Sequence, residues 1–256
     1  MKIAIVTGAS SGLGKEFVYQ LEKMDLDLDE IWILARRMDR LIEIQNTCNL
    51  PIKPVCIDLC DTNEMDCLER EINLIKPDIK ILINAAGMGK IGNYKTISRK
   101  EADWMIDLNC KAAIDMTYIC LPYMKENSHI LQICSTSAFQ PLPYLNIYAA
   151  SKSFLYRFSR ALRMECKKDK IHVCAICPYW INDTEFIQNA QSDVNKDIKS
   201  YPLASKKDKV VKRALYDAFH NFAVSTPGIL CTLHRFFSKL FPSSFLMSFW
   251  NLLRKI

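Results

Sequence analysis

Tyr148 and Lys152 stand four residues apart in Tyr148-Ala149-Ala150-Ser151-Lys152, one helical turn, so a phenol and an ammonium share a face. A cation close to a phenol favours the phenolate and pulls down a pKa that otherwise sits near about 10. Ser135 closes an apolar run thirteen residues earlier. Asn109, between Leu108 and Cys110, is a polar residue inside a helical pattern that gives it no packing reason. A Tyr/Lys pair alone is commonly surface decoration. Together with Ser135 and Asn109, at consistent spacing and in a chain with a glycine turn, it is not chance. Ser135 and Tyr148 can both donate to a developing alkoxide.

Glycine marks the second site. The chain has only seven, and six lie in two clusters: Gly8, Gly12 and Gly14, then Gly87, Gly89 and Gly92. Thr7-Gly8-Ala9-Ser10-Ser11-Gly12-Leu13-Gly14 follows one apolar run and opens a helical one. That is where backbone amides and a helix N-terminus can cradle a pyrophosphate, with Ser10, Ser11 and Leu13 among the contacts. The next apolar run ends Leu34-Ala35-Arg36-Arg37. An acid there would select ribose hydroxyls; arginines suit a 2′-phosphate. Cations are unfavourable at the helix N-terminus that follows, so Arg36 and Arg37 call for a ligand.

These residues need a scaffold, and the pattern predicts one. Runs at Lys2–Thr7, Ile31–Ala35, Lys53–Ile57, Ile79–Asn84, His129–Ser135 and Ile171–Cys177 are short and near-continuously apolar, as in a parallel sheet covered on both faces. Amphipathic helical segments at 12–24, 38–47, 62–76, 101–125 and 146–168 alternate with them, and Pro51 and Pro77 fall in connections. The expected fold is α/β, a doubly wound, mostly parallel, Rossmann-like sheet in one domain. Within 146–168, Phe154, Leu155, Phe158, Ala161 and Leu162 form one stripe, fitting a core face or a dimer seam.

With these motifs in place the chain resembles the short-chain dehydrogenase/reductases, in their shorter single-domain branch, over residues 1 to about 190. The resemblance rests on Thr7-Gly8-(x3)-Gly12-x-Gly14, Asn84-Ala85-Ala86-Gly87, Asn109, Ser135 and Tyr148-(x3)-Lys152. It implies an NAD(P)-dependent oxidoreductase of carbonyls or alcohols. Tyr148 is then the general acid/base, and Lys152 lowers its pKa and holds the nicotinamide ribose. Ser135 polarises the carbonyl, and Asn109 anchors a water in the proton relay. Asp58-Leu59 matches the family's adenine-contacting acid, and Asn84 to Gly87 adjoin the cofactor. The family's Pro-Gly and threonine after the sixth strand become Pro178-Tyr179-Trp180-Ile181-Asn182-Asp183-Thr184, with tyrosine for glycine and one extra residue. Pro178, Ile181 and Thr184 are expected at the cofactor; Tyr179 and Trp180 are expected to line the substrate pocket.

Composition sets the boundaries. The 256 residues are half hydrophobic and a quarter charged, which excludes disordered, collagen-like and coiled-coil chains. No apolar stretch is long enough to span a bilayer. Eleven cysteines, an odd and irregularly spaced set, are expected as free thiols in a cytoplasmic protein. Cys174 and Cys177 point to opposite faces of a strand and cannot grip one metal, so no metal is expected. The net charge of +6 conceals −4 in residues 1–128 and +10 in 129–256, with no basic stripe of the kind that binds nucleic acid. The expected cofactor is NADP(H) and the expected substrate an apolar ketone or alcohol, such as a steroid, bile acid or long-chain compound. The alternatives are a 3-oxoacyl thioester reductase and a non-catalytic NADP-binding regulator. A homodimer or homotetramer is expected.

The expected divisions are a core over 1–228, containing a substrate lid near 183–205, and an apolar helical tail over 229–256. From residue 218 onward come seven of the twelve phenylalanines, four Lys/Arg and no acid. Ile229, Leu230, Leu233, Phe236, Phe237, Leu240 and Phe241 recur at helical spacing opposite His234, Arg235, Ser238 and Lys239, and Phe245–Leu253 is a second apolar segment. Two readings follow. Both segments pack on the domain or a subunit partner, or the tail walls the substrate pocket and rests peripherally on an anionic membrane.

Overall fold

In Lys2–Thr7 every residue after the first is buried, which a strand with one wet face does not permit. In the computed structural model this strand, β1, is an interior strand, third in order, of a seven-stranded sheet. The others are β2 (Glu30–Ala35), β3 (Ile52–Cys56), β4 (Asp78–Asn84), β5 (His129–Ile133), β6 (His172–Ile176) and β7 (Val224–Ser225). Their order is β3-β2-β1-β4-β5-β6-β7, every pair parallel. The order reverses between β1 and β4, and there the carboxyl ends of the strands open a crevice for a ligand. The structure describes residues 1–191, 197–198, 201 and 203–254. Of the lid expected over 183–205, residues 192–196, 199–200 and 202 lie outside the described residues.

Side chains alternate across each strand and build two cores. Ala4 and Val6 pack with α1 (Gly12–Glu22), α2 (Met38–Thr47) and α8 (Lys207–Phe219). Ile3 and Ile5 pack on the other face with α3 (Thr62–Ile75), α5 (Ala112–Cys120) and α6 (Asn146–Glu165). This is the doubly wound architecture expected from the sequence. Cys174 falls in the first core and Cys177 in a separate small cluster, as their strand spacing requires, and all eleven thiols are free. The stripe on α6 divides: Leu155 and Leu162 are buried, while Phe154 is exposed.

Three elements depart from expectation. The helix expected over 101–125 is interrupted: α4 (Arg99–Ile106) passes through a π-turn at Asp107–Lys111 before α5 resumes. Helix α8 and the two-residue β7 add a seventh strand and its crossover. The tail forms two helices, α9 (Ile229–Leu240) and α10 (Ser243–Leu253), preceded in the chain by the short α7 (Phe186–Ala190). Helix α9 docks by its polar edge: Cys231 is buried and His234 packs edge-on against Phe139, 6.0 Å between ring centroids. Its apolar stripe therefore faces outward. Among the described residues no helix is long and apolar enough to cross a membrane.

One half-buried pair gives the fold an acid sensitivity. His129 and His172 are register partners on β5 and β6, their rings 5.1 Å apart, with Phe219 against His129. Burial, helped by His172, pushes the His129 imidazole down to about 4. The unfolded chain takes up this proton near 6.5, its ordinary value, and the folded chain only near 4. The stability from keeping His129 neutral is thus complete above the unfolded pKa and lost as pH falls from there. The loss approaches about 3 kcal/mol. Urea titrations across this window should show a shallower loss in His129→Gln than in wild type; parallel losses would refute the assignment.

Candidate active site

Each chemical group is delivered by the end of an element. The first turn of α6 carries Tyr148 and, one turn on, Lys152, both buried. Lys152 Nζ donates to the Ile133 carbonyl at the end of β5, 2.7 Å away, and lies 5.9 Å from the Tyr148 ring centroid. Ser135 follows β5 as the N-cap of a 3-10 turn, its Oγ accepting from Ser137 N at 3.1 Å. Its hydroxyl lies near enough to Tyr148 to favour the phenolate. Tyr148, Ser135 and Lys152 therefore converge at one strand end, as their spacing suggested.

The electrostatics differ from the expectation. Lys152 was expected to pull the phenol down; instead burial pushes Tyr148 up to about 12, against the opposing Ser135 contact. Burial likewise lowers Lys152. Desolvation is the dominant cause, and the Lys152 ammonium is engaged by Ile133 O. The phenol is thus a proton donor at rest.

Asn109 is held by protein partners. Its Oδ1 accepts from Met88 N at 2.9 Å, and its Nδ2 donates to Met88 O at 2.8 Å and to Ser151 Oγ at 3.0 Å. The side chain clamps the 87–89 loop to α6. The π-turn aims it there, an extra residue per turn swinging Asn109 inward. Gly87 leaves room beside it: a Cβ would lie 3.0 Å from Asn109 Oδ1 and 3.2 Å from Lys152 Nζ, a tight fit for both groups.

The crevice beside these groups suits a dinucleotide. Gly8 and Gly12 have φ of +65° and +55°, open to glycine without strain. Helix α1 starts with no side-chain cap from Ser11 and no acid in its first turn, which leaves its amide end free for an anion. Thr184 sits over Gly12, 3.7 Å from where its Cβ would be. At the end of β2, Arg37 donates to Ser10 Oγ at 3.0 Å and Ser11 Oγ at 2.8 Å. Glu185 bridges Arg37 and Arg40, at 3.1 and 2.6 Å. Arg36 points elsewhere, over the Trp104 ring at 5.1 Å and toward Asp58 at 3.8 Å. These three side chains line an open recess at the ends of β2 and β3.

Not every sequence candidate reaches the crevice by its side chain. Leu59 is packed in the core, and Asn84 donates to Ala113 O and Thr117 Oγ1 behind the sheet. Ala86 N is held by Thr7 Oγ1 at 3.1 Å, which keeps Ala85 and Ala86 against the glycine turn. The Pro178 carbonyl accepts from Thr136 N, and Ile181 bridges to Ser205. Tyr179 lies near Cys231 on α9, whereas Trp180 belongs to the apolar cluster that also holds Tyr148, Phe186 and Trp250. Of the two aromatics, Trp180 is the one in the apolar cluster that holds Tyr148, its own ring meeting Tyr201 at 4.7 Å. Arg40, Trp104, Glu185 and Trp250 stand at the site without belonging to any of the sequence motifs. Arg40 alone carried a local signal, close behind Arg37 in the first turn of α2.

A sequence model described as short chain dehydrogenase matches residues 2–195. An uncharacterized oxidoreductase of Staphylococcus epidermidis is 27% identical over 205 residues, 79% of this chain and 87% of that one. A very-long-chain 3-oxoacyl-CoA reductase of Candida albicans is 31% identical over 248 residues, 88% of this chain and 68% of that protein. Among solved structures, a short-chain dehydrogenase from Sphingobium yanoikuyae in complex with NADPH shares the fold. Its TM-score is 0.78 at 24% identity, covering 97% of this chain and 95% of that one. The chain belongs to the short chain dehydrogenase family and is an oxidoreductase. A nicotinamide dinucleotide is supported as its cofactor, and the family acts on small-molecule alcohols and ketones.

Proposed function

We propose that this enzyme interconverts a carbonyl and a secondary alcohol on a small hydrophobic molecule, such as a steroid, bile acid or long-chain compound, with NADP(H). The convergence of Tyr148, Ser135 and Lys152 at the end of β5 carries this reading. When bound, the nicotinamide supplies or accepts the hydride. Ser135 and Tyr148 hold the substrate oxygen between two hydroxyls, and Tyr148 gives it a proton in reduction and takes one in oxidation. Lys152 balances the phenolate and orients the cofactor ribose. Asn109 keeps the 87–89 loop in place beneath them. A panel of ketones and alcohols, followed at the nicotinamide absorbance, tests the reaction; no turnover would favour a cofactor-binding regulator instead.

The NADP(H) preference rests on Arg37 rather than on Arg36. Arg37, Arg40 and the hydroxyls of Ser10 and Ser11 form a nest of donors where a 2′-phosphate belongs, and Glu185 already balances it with an internal anion. Arg37→Ala should weaken NADP⁺ binding by roughly 1.5–3 kcal/mol and leave NAD⁺ nearly untouched, because the contact is charge-assisted. Glu185→Gln should tighten NADP⁺ by removing the competing carboxylate. Calorimetric titrations with each cofactor decide, and equal native affinity for NAD⁺ and NADP⁺ would sink the preference.

The Candida albicans relative favours a second reading, in which the apolar compound is a long-chain 3-oxoacyl thioester. The same residues would perform it. The proposed setting is cytoplasmic, which the eleven free thiols support. A homodimer or homotetramer is supported by the open apolar side chains of Ile106 and Phe154 around a shallow hollow on α4, α5 and α6.

A further inference from the structure

We propose that α9 and α10 together form an interfacial anchor that seats the protein on an anionic lipid surface with the catalytic cleft beside it. The orientation of α9 carries the proposal. An amphipathic helix normally buries its apolar stripe against its own domain. Here Cys231, His234 and Arg235 face the domain, while Leu233, Phe236, Phe237 and Leu240 are 43–60% exposed. Helix α10 continues the surface with Phe245 and Phe249, each more than half exposed. Neighbouring rings join the two across the Pro242 bend: Phe237 to Phe241 at 5.9 Å and Phe241 to Phe245 at 5.2 Å. Apolar surface of this extent and continuity on a folded protein marks an interaction face.

Charge selects the occupant. After Asp217 the chain has no Asp or Glu, while Arg235, Lys239, Arg254 and Lys255 are basic, and Lys239 is exposed on α9 beside the aromatic ridge. Two copies of such a face would bring like charges together. An anionic bilayer would attract it, and aromatic and basic side chains partition well at the headgroup boundary. Among the described residues neither helix is long and apolar enough to cross a membrane, so the expected state lies in the interface plane.

The anchor is coupled to the cleft by its inner edge. Trp250 Nε1 donates to the Pro143 carbonyl at 2.9 Å and packs in the cluster that contains Tyr148. Arg254 covers the Tyr144 ring at 3.6 Å. Docking would therefore hold the substrate side of the cleft against lipid, the source of an apolar substrate. That last step rests on the proposed carbonyl chemistry; the docking itself does not.

The test uses the full chain with sedimented vesicles, one set of pure phosphatidylcholine and one with about 30% phosphatidylserine, at low and high salt. Wild type should sediment with the anionic set at low salt and be released by high salt. The double variant Phe236→Glu/Phe249→Glu, changed only at exposed positions, should lose at least about tenfold in binding. Its turnover of a short water-soluble ketone should match wild type, so failure of the anchor and failure of the chemistry are read separately. Lys239→Glu should weaken binding to the anionic vesicles alone. Absence of wild-type sedimentation, or equal binding to both vesicle sets, overturns the proposal. So does a variant that loses an oligomer with no change in lipid binding, which would make the face a contact between copies.

Discussion

Tyr148→Phe is expected to cut turnover by about 10²–10⁴-fold through loss of the general acid alone, and by more because the alkoxide also loses a donor. The ring and its packing against Phe186, 5.5 Å between centroids, survive the change, so cofactor affinity and melting temperature should stay at wild-type values. The pH profile of the native enzyme checks the same group. Burial keeps the phenol protonated up to about 12. Reduction needs that proton, so its rate should not fall with rising pH on account of Tyr148 until the strongly alkaline range. Oxidation needs the phenolate and should climb as pH rises. A Tyr148→Phe enzyme within a few-fold of native activity would show that the proton comes from elsewhere.

Lys152→Met should damage both turnover and cofactor binding. The substitution retains most of the apolar stem but removes the ammonium that binds Ile133 O and stands 5.9 Å from the phenol ring. A phenolate formed during reduction would then sit buried with no counter-charge, a cost of several kcal/mol in a site this dry. We expect kcat to fall by more than about 10²-fold. The dissociation constant for NADP⁺ should rise as well, separating Lys152 from Tyr148. Near-native kcat, or a loss traced entirely to a lower melting temperature, would reduce the residue to a packing role.

Much of this site was legible in the residues because its spacing is local. Tyr148 and Lys152 share a helix face wherever that helix lies, and Gly8 to Gly14 join a strand to a helix within eight residues. The strand pattern was equally plain, since doubly buried strands read as unbroken apolar runs. What escaped depends on distance or on inserted residues. Glu185 meets Arg40 across 145 positions of chain, which periodicity cannot show. The π-turn at Asn109 adds one residue to a turn without altering composition, so 101–125 read as one helix. The two residues of β7 are too few to alternate. For α9 the stripe was visible and its direction was not, because helical spacing tells which side chains lie together and says nothing of what they meet.

The sealed cysteines give the molecule a chemical memory of its own folding. Seven of the eleven thiols are buried, and only Cys56 and Cys67 are fully open. Burial holds Cys110 up at about 11 and Cys174 at about 12, so they carry almost no reactive thiolate at neutral pH. An alkylating reagent therefore marks a native chain at a few positions, and a chain that has opened even briefly at many. The mass each molecule has gained is then a written record of whether it unfolded, kept after it has refolded.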